Sequence, residues 1–382
     1  MKIAVDGQVF FEEQKTGIGW LAHNVICCMP SIDKTDEIQL NCFTLGGNRK
    51  RQYLVEQYRE YGIQNKKCGW FHGGIYSRIW KILPIPYWFF FGRDTDITVF
   101  FNYIIPPGVK GKKIAFVHDM AYRAYPATVE KRTRAALEKS LEHTCRIADR
   151  IITISQFSKT EIMKYMGVDE KKIDVIRLGV DSRYYHPNYR QVDIQTAKLK
   201  YGVPDEYFFY QGTIEPRKNL ERLIRAYGLL YQRNRDVPAL VLAGKKGWLY
   251  DEIFRAVTEL QLEKKVLFLG YIDIKDIPKL MCGAVAFVYP SLYEGFGLPP
   301  LEAMSCGTPV IASNAASIPE VVGDAGILVD PKNEEEIADA LGRICTDSQL
   351  GKQLRNAGLQ RAKEFSWEES AKQVVASIRS MR

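Results

Sequence analysis

A short, mostly apolar run that leads into a helical pattern recurs along this chain. Residues 2–5 form the first such run, and residues 37–43, 96–101, 113–117, 150–155 and 173–176 continue the series. The pattern then restarts with residues 207–212, 239–243, 266–269, 284–289, 309–312 and 326–329. Runs without polar alternation are strands buried on both faces, as parallel sheets require. Strand–loop–helix alternation winds such a sheet with helices on both sides. Two series therefore imply an α/β protein of two Rossmann-like, doubly wound domains, and 382 residues suit two cores better than one. Ligands of open parallel sheets bind at the carboxyl ends of the strands, which here puts the expected site in a cleft between the domains. Apolar periodicity lapses over residues 184–193, so the domains are set at 1–185 and 190–365. Ser366-Trp367-Glu368 opens an amphipathic C-terminal helix, about 366–382.

The stretch 289–307, YPSLYEGFGLPPLEAMSCG, concentrates the chemistry. A buried strand runs into Glu294-Gly295-Phe296-Gly297-Leu298, then Pro299-Pro300, then a short helix that stops at Gly307. Proline near the start and glycine past the end is the expected asymmetry of a helix, which puts Glu294 in the loop and Glu302 in the first turn. Free backbone N–H groups at such a junction attract phosphate, and carboxylates beside them accept hydrogen bonds from hydroxyls. A site suited to both points to a nucleotide sugar. Two further loops follow strands of the second series. Gly212-Thr213-Ile214-Glu215-Pro216-Arg217-Lys218-Asn219 precedes a helix that Asn219 is expected to cap. Arg217 and Lys218 oppose the dipole of that helix, which suggests that an anion is expected there. Gly244-Lys245-Lys246-Gly247 reads either as a solvated loop or as a second anion contact. In the first domain, Gly17 and Gly19 lie in a loop before a helix over residues 21–29, and His118 ends a strand where ligands of such sheets bind.

Composition narrows the class. Apolar residues make up 46% and charged residues 26%, the balance of a globular protein. The net charge of +8 is concentrated in residues 1–182, which hold 27 Lys and Arg against 20 Asp and Glu. The readings are an unevenly charged solvated surface, or attraction to anionic lipid or a polyanionic acceptor. No basic patch carries a nucleic-acid motif, so no nucleic acid is expected as a partner. None of the eight cysteines forms a C-x-x-C pair, and they read as buried thiols of a reducing, cytoplasmic compartment. The N-terminal MKIAVDGQVF is a strand rather than a signal peptide, and no run of about 18 apolar residues offers a membrane span. The aromatic stretch 71–91, with Trp80, Trp88, Phe89, Phe90 and Phe91 among Arg78 and Lys81, is read as either an interfacial segment or an apolar helix pair in the core, broken at Pro84 and Pro86.

Taken together, these motifs resemble one family. Glu294-GFGLPPL-Glu302 resembles the E-x7-E signature of the GT4 family of retaining glycosyltransferases, which have the GT-B fold. Gly212–Asn219 is similar to that family's phosphate-binding segment. The Val117-His118-Asp119 segment, Thr16-Gly17-Ile18-Gly19 and Phe365-Ser366-Trp367 are similar to it as well, and the likeness covers essentially the whole chain in order. The chain departs from the commonest pattern at Thr213, where many members have Arg, at Arg217, where they often have Glu, and at Trp20, where relatives often carry Arg.

The resemblance implies roles. Glu302 would hold ribose hydroxyls, and Glu294 would contact the donor hexose, with amides of Gly295, Phe296, Gly297 and Leu298 on the diphosphate and sugar. Arg217 and Lys218 would neutralise the leaving diphosphate, alongside Gly212, Thr213, Gly244 and Lys245. His118 would lie near the transferred sugar, and Gly17 and Gly19 would admit the diphosphate or acceptor. The C-terminal helix would pack back on the first domain. The expected reaction is metal-independent, retaining hexose transfer, with no cofactor and a nucleotide sugar as co-substrate. The likeness is greatest to bacterial mannosyl- and rhamnosyltransferases of surface polysaccharides. GDP-mannose is the expected donor and a glycan or lipid-linked saccharide the acceptor, at the inner face of the plasma membrane. The alternatives are a rhamnosyl- or glucosyltransferase using a dTDP- or UDP-sugar, an NDP-sugar 2-epimerase, against which E-x7-E argues, and a non-catalytic nucleotide-sugar-binding or membrane-surface scaffold.

Overall fold

Thirteen short strands, all paired in parallel, build two sheets in the computed structural model, which describes residues 1–11, 17–45, 49–80 and 83–381, with residues 49–52 as backbone alone. Thr16 and Lys81 lie outside the described residues. The chain divides into two units: Met1–Met120 with Lys131–Gly179 and Trp367–Arg382, and Ala121–Glu130 with Val180–Ser366. Tertiary contact thus changes at residues 179–180, whereas apolar periodicity lapses over 184–193.

The first unit contains β1 (Lys2–Asp6), β2 (Glu37–Phe43), β3 (Gln64–Cys68), β4 (Ile97–Phe100), β5 (Lys112–Phe116), β6 (Arg150–Thr153) and β7 (Ile173–Val175), in the order β3-β2-β1-β4-β5-β6-β7. The second contains β8 (Tyr207–Gln211), β9 (Ala239–Ala243), β10 (Val266–Gly270), β11 (Ala286–Tyr289), β12 (Val310–Ser313) and β13 (Ile327–Val329), in the order β10-β9-β8-β11-β12-β13. The strand order reverses once in each sheet, between β1 and β4 in the first and between β8 and β11 in the second. That reversal opens a crevice at the carboxyl ends of the two strands, the place where doubly wound sheets take ligands.

The central strands of the second sheet are almost wholly apolar because helices cover both faces. β9 is buried along its length and β8 in all but its last residue. β3, Gln-Asn-Lys-Lys-Cys, has no apolar pattern and sits at an edge, where one neighbour suffices. Helix Trp367–Arg379 belongs to the first unit and lies along helix Gly17–Ile32, with the Ser370 hydroxyl donating to the Arg177 carbonyl at 2.5 Å and the Gln373 side chain accepting from the Arg177 N–H at 2.9 Å.

Several expectations need correction. Gly17 and Gly19 are not in a loop but in the first turn of helix Gly17–Ile32, which starts earlier than its apolar pattern. Helix Leu298–Ser305 begins one residue before Pro299, so Glu302 is its fifth residue and lies beyond the first turn. Asn219 does not cap through its side chain. It adopts a left-handed φ of 60°, and its amide donates to the carbonyls of Pro290 and Pro331 at 3.0 and 2.6 Å. All eight cysteines are thiols outside any disulfide, but Cys27, Cys28 and Cys282 are partly exposed and Cys345 is exposed.

The aromatic stretch divides between the two readings. Prolines separate helix Gly73–Ile79 from the single turn Trp88–Phe91. Tyr76, Tyr87, Phe90 and Phe91 are buried, while Trp70, Ile75, Leu83 and Phe89 stand exposed. No helix among the described residues is long and apolar enough to cross a membrane.

Candidate active site

At the β8/β11 reversal in the second unit, five side chains from two loops converge. The loop after β8 supplies Glu215, Arg217 and Lys218 around a single 3-10 turn, Pro216–Lys218. β11 ends in Tyr289, and the loop after it supplies Glu294. The Lys218 ammonium donates to Glu294 Oε1 and to the Tyr289 hydroxyl, each at 2.6 Å, and that hydroxyl donates in turn to Glu294 Oε1 at 3.1 Å. The Arg217 guanidinium reaches Glu294 Oε2 at 3.0 Å, Glu215 Oε1 at 2.7 Å and the Tyr293 carbonyl at 2.8 Å. Two cations and two carboxylates thus form one buried chain of charge-assisted bonds.

The charges set each other's protonation. Burial alone would raise the Glu294 carboxyl, but Arg217 and Lys218 outweigh it and hold the pKa at about 2. Burial pushes the Lys218 ammonium down, and Glu294 opposes that shift. Burial also raises Glu215, against the pull of Arg217. Glu294 is therefore a fixed anion between two cations.

Backbone shape brings the loops together. Gly244, after β9, has φ of 151°, and a Cβ there would lie 1.8 Å from the Gly212 carbonyl oxygen. The two loops touch at this point, and Ile214 N–H donates to the Lys245 carbonyl at 3.0 Å. Lys245 itself lies 5.0 Å over the Tyr271 ring. The Ser317 hydroxyl is within 2.8 Å of both the Glu294 and Phe296 carbonyls and fastens the Gly295–Gly297 turn from behind. Gly297, with φ of 119°, precedes helix Leu298–Ser305. Pro299 and Pro300 carry no N–H, so they add no donor for an anion at this junction.

Glu302 has a different environment. Burial lifts its carboxyl to about 8, countered by a hydrogen bond with Tyr185. A carboxyl near neutrality, unlike Glu294, can gain or lose its proton on meeting a ligand.

In the first unit, His118 lies two residues past the end of β5 and is buried. Its Nε2 is 2.8 Å from the Phe101 carbonyl, which accepts only, so Nε2 carries the proton. Burial lowers its pKa, which favours the neutral ring with Nδ1 as acceptor. The Ser158 hydroxyl donates to the His118 carbonyl at 3.1 Å and fixes its backbone.

The structure therefore brings Arg217, Lys218 and Glu294 into direct contact, sets Gly212, Thr213, Gly244 and Lys245 in adjoining loops, and places Glu302 on the helix that follows. Glu215, Tyr289, Ser317 and Tyr185 escaped sequence reasoning. Glu215 stands in the same segment as the two cations and had a signal: an acid two positions before an arginine. Tyr185 had none, because it lies within the stretch without periodicity.

Comparisons with known proteins agree with this architecture. The family model for glycosyl transferases group 1 matches residues 192–361, and that for glycosyltransferase family 4 matches residues 105–184. The chain is 36% identical to O-antigen chain mannosyltransferase B of Escherichia coli over 72% of this chain and 71% of that one. It is 34% identical to the serotype-specific mannosyltransferase WbdA of the same species over 59% of this chain, a match that spans 28% of the longer relative. Among solved structures, Anabaena HepE in complex with UDP and glucose superimposes with TM-score 0.72 at 21% identity, covering 100% of both chains. A sucrose-phosphate synthase from Thermosynechococcus elongatus superimposes with TM-score 0.73 at 19% identity, covering 100% of this chain and 98% of that one. The fold is thus GT-B, and the chain belongs to glycosyltransferase family 4.

Proposed function

We propose that this glycosyltransferase moves mannose from GDP-mannose to a saccharide acceptor, with retention at the anomeric carbon and without a metal ion. The observation that carries the reading is the convergence of Lys218 and Arg217 on Glu294 at the β8/β11 reversal. Two cations held in low-dielectric surroundings stabilise a departing diphosphate where its charge develops, which is the main demand of an oxocarbenium-like transition state. Glu294, ionised at any working pH, keeps those cations in place before the donor arrives and accepts hydrogen bonds from hexose hydroxyls afterwards. In the proposed step the bond from the anomeric carbon to the diphosphate oxygen breaks. The acceptor oxygen bonds to that carbon on the same face, and its proton passes to the leaving phosphate oxygen. His118, neutral with Nδ1 as acceptor, is proposed to receive a hydrogen bond from a hydroxyl of the transferred sugar.

The choice of sugar rests on the relatives, whose names record an O-antigen chain mannosyltransferase and a serotype-specific mannosyltransferase. We extend this to a glycan or lipid-linked acceptor at the inner membrane face, supported by the exposed Trp70, Ile75, Leu83 and Phe89 in the first unit, whose sequence holds the excess of positive charge. A thermal-shift panel of GDP-, UDP- and dTDP-sugars tests the donor. GDP-mannose is expected to raise the midpoint most, and a larger shift with a dTDP- or UDP-sugar would replace mannose with a rhamnosyl or glucosyl donor. Turnover undiminished in EDTA supports the metal-free route, and loss restored by Mn²⁺ refutes it.

A further inference from the structure

The first sheet has its own reversal, between β1 and β4, and the residue at the carboxyl end of β1 is Asp6. Asp6 lies opposite Asn41 of β2, so the two side chains share a face of the sheet. One row back on the same face, Ala4 is flanked by Gln39 and Thr98. Gln39, Asn41 and Thr98 are polar yet buried, at 3%, 2% and 1% exposure. The Gln39 amide donates to Asn41 Oδ1 at 3.0 Å, and the Tyr87 hydroxyl donates to Asp6 Oδ2 at 3.1 Å. Tyr87 is itself buried and also meets the Asn41 side chain.

A buried polar network in the middle of a parallel sheet costs stability and fixes geometry. This one leads to a single carboxylate at the crevice, part of whose surface stays exposed. Among the described residues, the titratable groups facing Asp6 are Tyr87, Tyr76 from helix Gly73–Ile79 and Cys42 from β2, all neutral at working pH. A carboxylate framed by neutral groups repels phosphate and accepts hydrogen bonds from hydroxyls.

Resting on the glycosyl-transfer reading above, we propose that Asp6 binds the acceptor: its carboxylate takes a hydrogen bond from a hydroxyl of the acceptor saccharide, and Tyr87 and Asn41 are positioning residues that hold it. Burial raises the Asp6 carboxyl to about 6, with the Gln8 amide and the Tyr87 hydroxyl opposing the rise. Acceptor binding therefore strengthens as the pH rises through that value.

The test uses GDP-mannose with octyl α-mannobioside as acceptor, and hydrolysis of GDP-mannose by water as the acceptor-free reaction. Asp6→Asn keeps an oxygen for the Gln8 N–H. It is expected to lower kcat/KM for the acceptor on the order of 10-fold or more, while hydrolysis and the thermal shift given by GDP stay as in wild type. Tyr87→Phe removes a donor to the carboxylate and is expected to move the acid limb of acceptor kcat/KM to higher pH. Wild-type acceptor kinetics in Asp6→Asn, or equal losses in transfer and hydrolysis, would overturn the assignment. Should Asp6→Asn not fold, an acid limb unmoved in Tyr87→Phe overturns it as well. Failure of the donor reading would show elsewhere, as the absence of any GDP-mannose shift in the wild-type protein.

Discussion

Lys218 Nζ lies 2.6 Å from Glu294 Oε1, and the two residues expose 8% and 9% of their surface. Removing Lys218 leaves the buried Glu294 carboxylate with Arg217 as its remaining cation, so the cost stays below the roughly 3–5 kcal/mol of a buried charge stripped of its partner. Removing both costs less. Lys218→Met should therefore destabilise more than the Lys218→Met/Glu294→Gln double variant, while both lose transfer activity by on the order of 100-fold or more. Chemical denaturation with initial-rate assays checks both halves. Full transfer by a Lys218→Ala/Arg217→Ala double variant would remove the leaving-group role.

The same pair gives a pH signature. Glu294 is held at about 2 in the folded protein, below the ordinary carboxylate value near about 4.3. A depressed folded pKa contributes stability above the unfolded value that is lost as pH falls towards the folded one. Between roughly pH 5 and pH 3, wild type should lose Tm more steeply than Glu294→Gln. Equal slopes would contradict the ion pair.

Glu302 has the opposite sign. Its carboxyl is raised to about 8, so the folded chain holds a proton that the unfolded chain releases near about pH 4.3. Stability from this group is present below the unfolded value and falls as pH rises towards 8. Glu302→Gln should match wild type near pH 5 and exceed its Tm by a few degrees near pH 8.5. If ribose hydroxyls donate to the ionised carboxylate, GDP should bind more tightly from pH 7 to pH 8.5 and release protons on binding at pH 7. Calorimetry in buffers of different ionisation enthalpy measures that release. A pH-independent affinity, or the same pH dependence in Glu302→Gln, would separate Glu302 from the nucleotide.

How much of this was legible in the sequence follows from what kind of force shaped each part. Central strands such as β8 and β9 are legible because burial on both faces writes continuous apolar runs. β3 is not, because an edge strand of Gln, Asn and Lys is held by backbone pairing that leaves no side-chain pattern. Arg217 and Lys218 stood out because cations before a helix are unfavourable unless something compensates them. The compensating partner, Glu294, lies 76 residues away, and no local rule links the two. The helix starts at Gly17 and Leu298 were misjudged by residues whose amides need no intrahelical partner, so local propensity carries little information there.

Gly244 tests whether the two loops must touch. At φ of 151°, a Cβ added to this residue would fall 1.8 Å from the Gly212 carbonyl oxygen, which is backbone and cannot rotate away. Gly244→Ala should separate the loops, weaken GDP binding and lower stability by roughly 2–4 kcal/mol. Gly351, with nothing within 4 Å of an added Cβ, supplies the control: Gly351→Ala should be neutral or slightly stabilising inside its helix. Nucleotide affinity and Tm unchanged in Gly244→Ala would show that the close approach is dispensable.

Trp70 and Phe89 form an edge-to-face pair 5.5 Å apart, exposing 57% and 55% of their surfaces. Water-exposed aromatics of this size are costly unless something covers them, and aromatic side chains favour the headgroup layer of a bilayer. The first half of the sequence carries most of the net positive charge, which would draw that surface to anionic lipid. In flotation with phosphatidylglycerol-containing liposomes, wild type should rise with the vesicles at low salt and less so at high salt. Trp70→Ser/Phe89→Ser should stay behind while keeping its thermal midpoint, because neither ring is in the core. Trp88→Ser is the contrasting change: that ring is partly buried and Arg93 stacks on it at 3.7 Å, so its loss should cost stability as well as affinity. Lipid binding retained by the Trp70/Phe89 double variant would assign the attraction to charge alone, and no flotation of wild type would end the membrane reading.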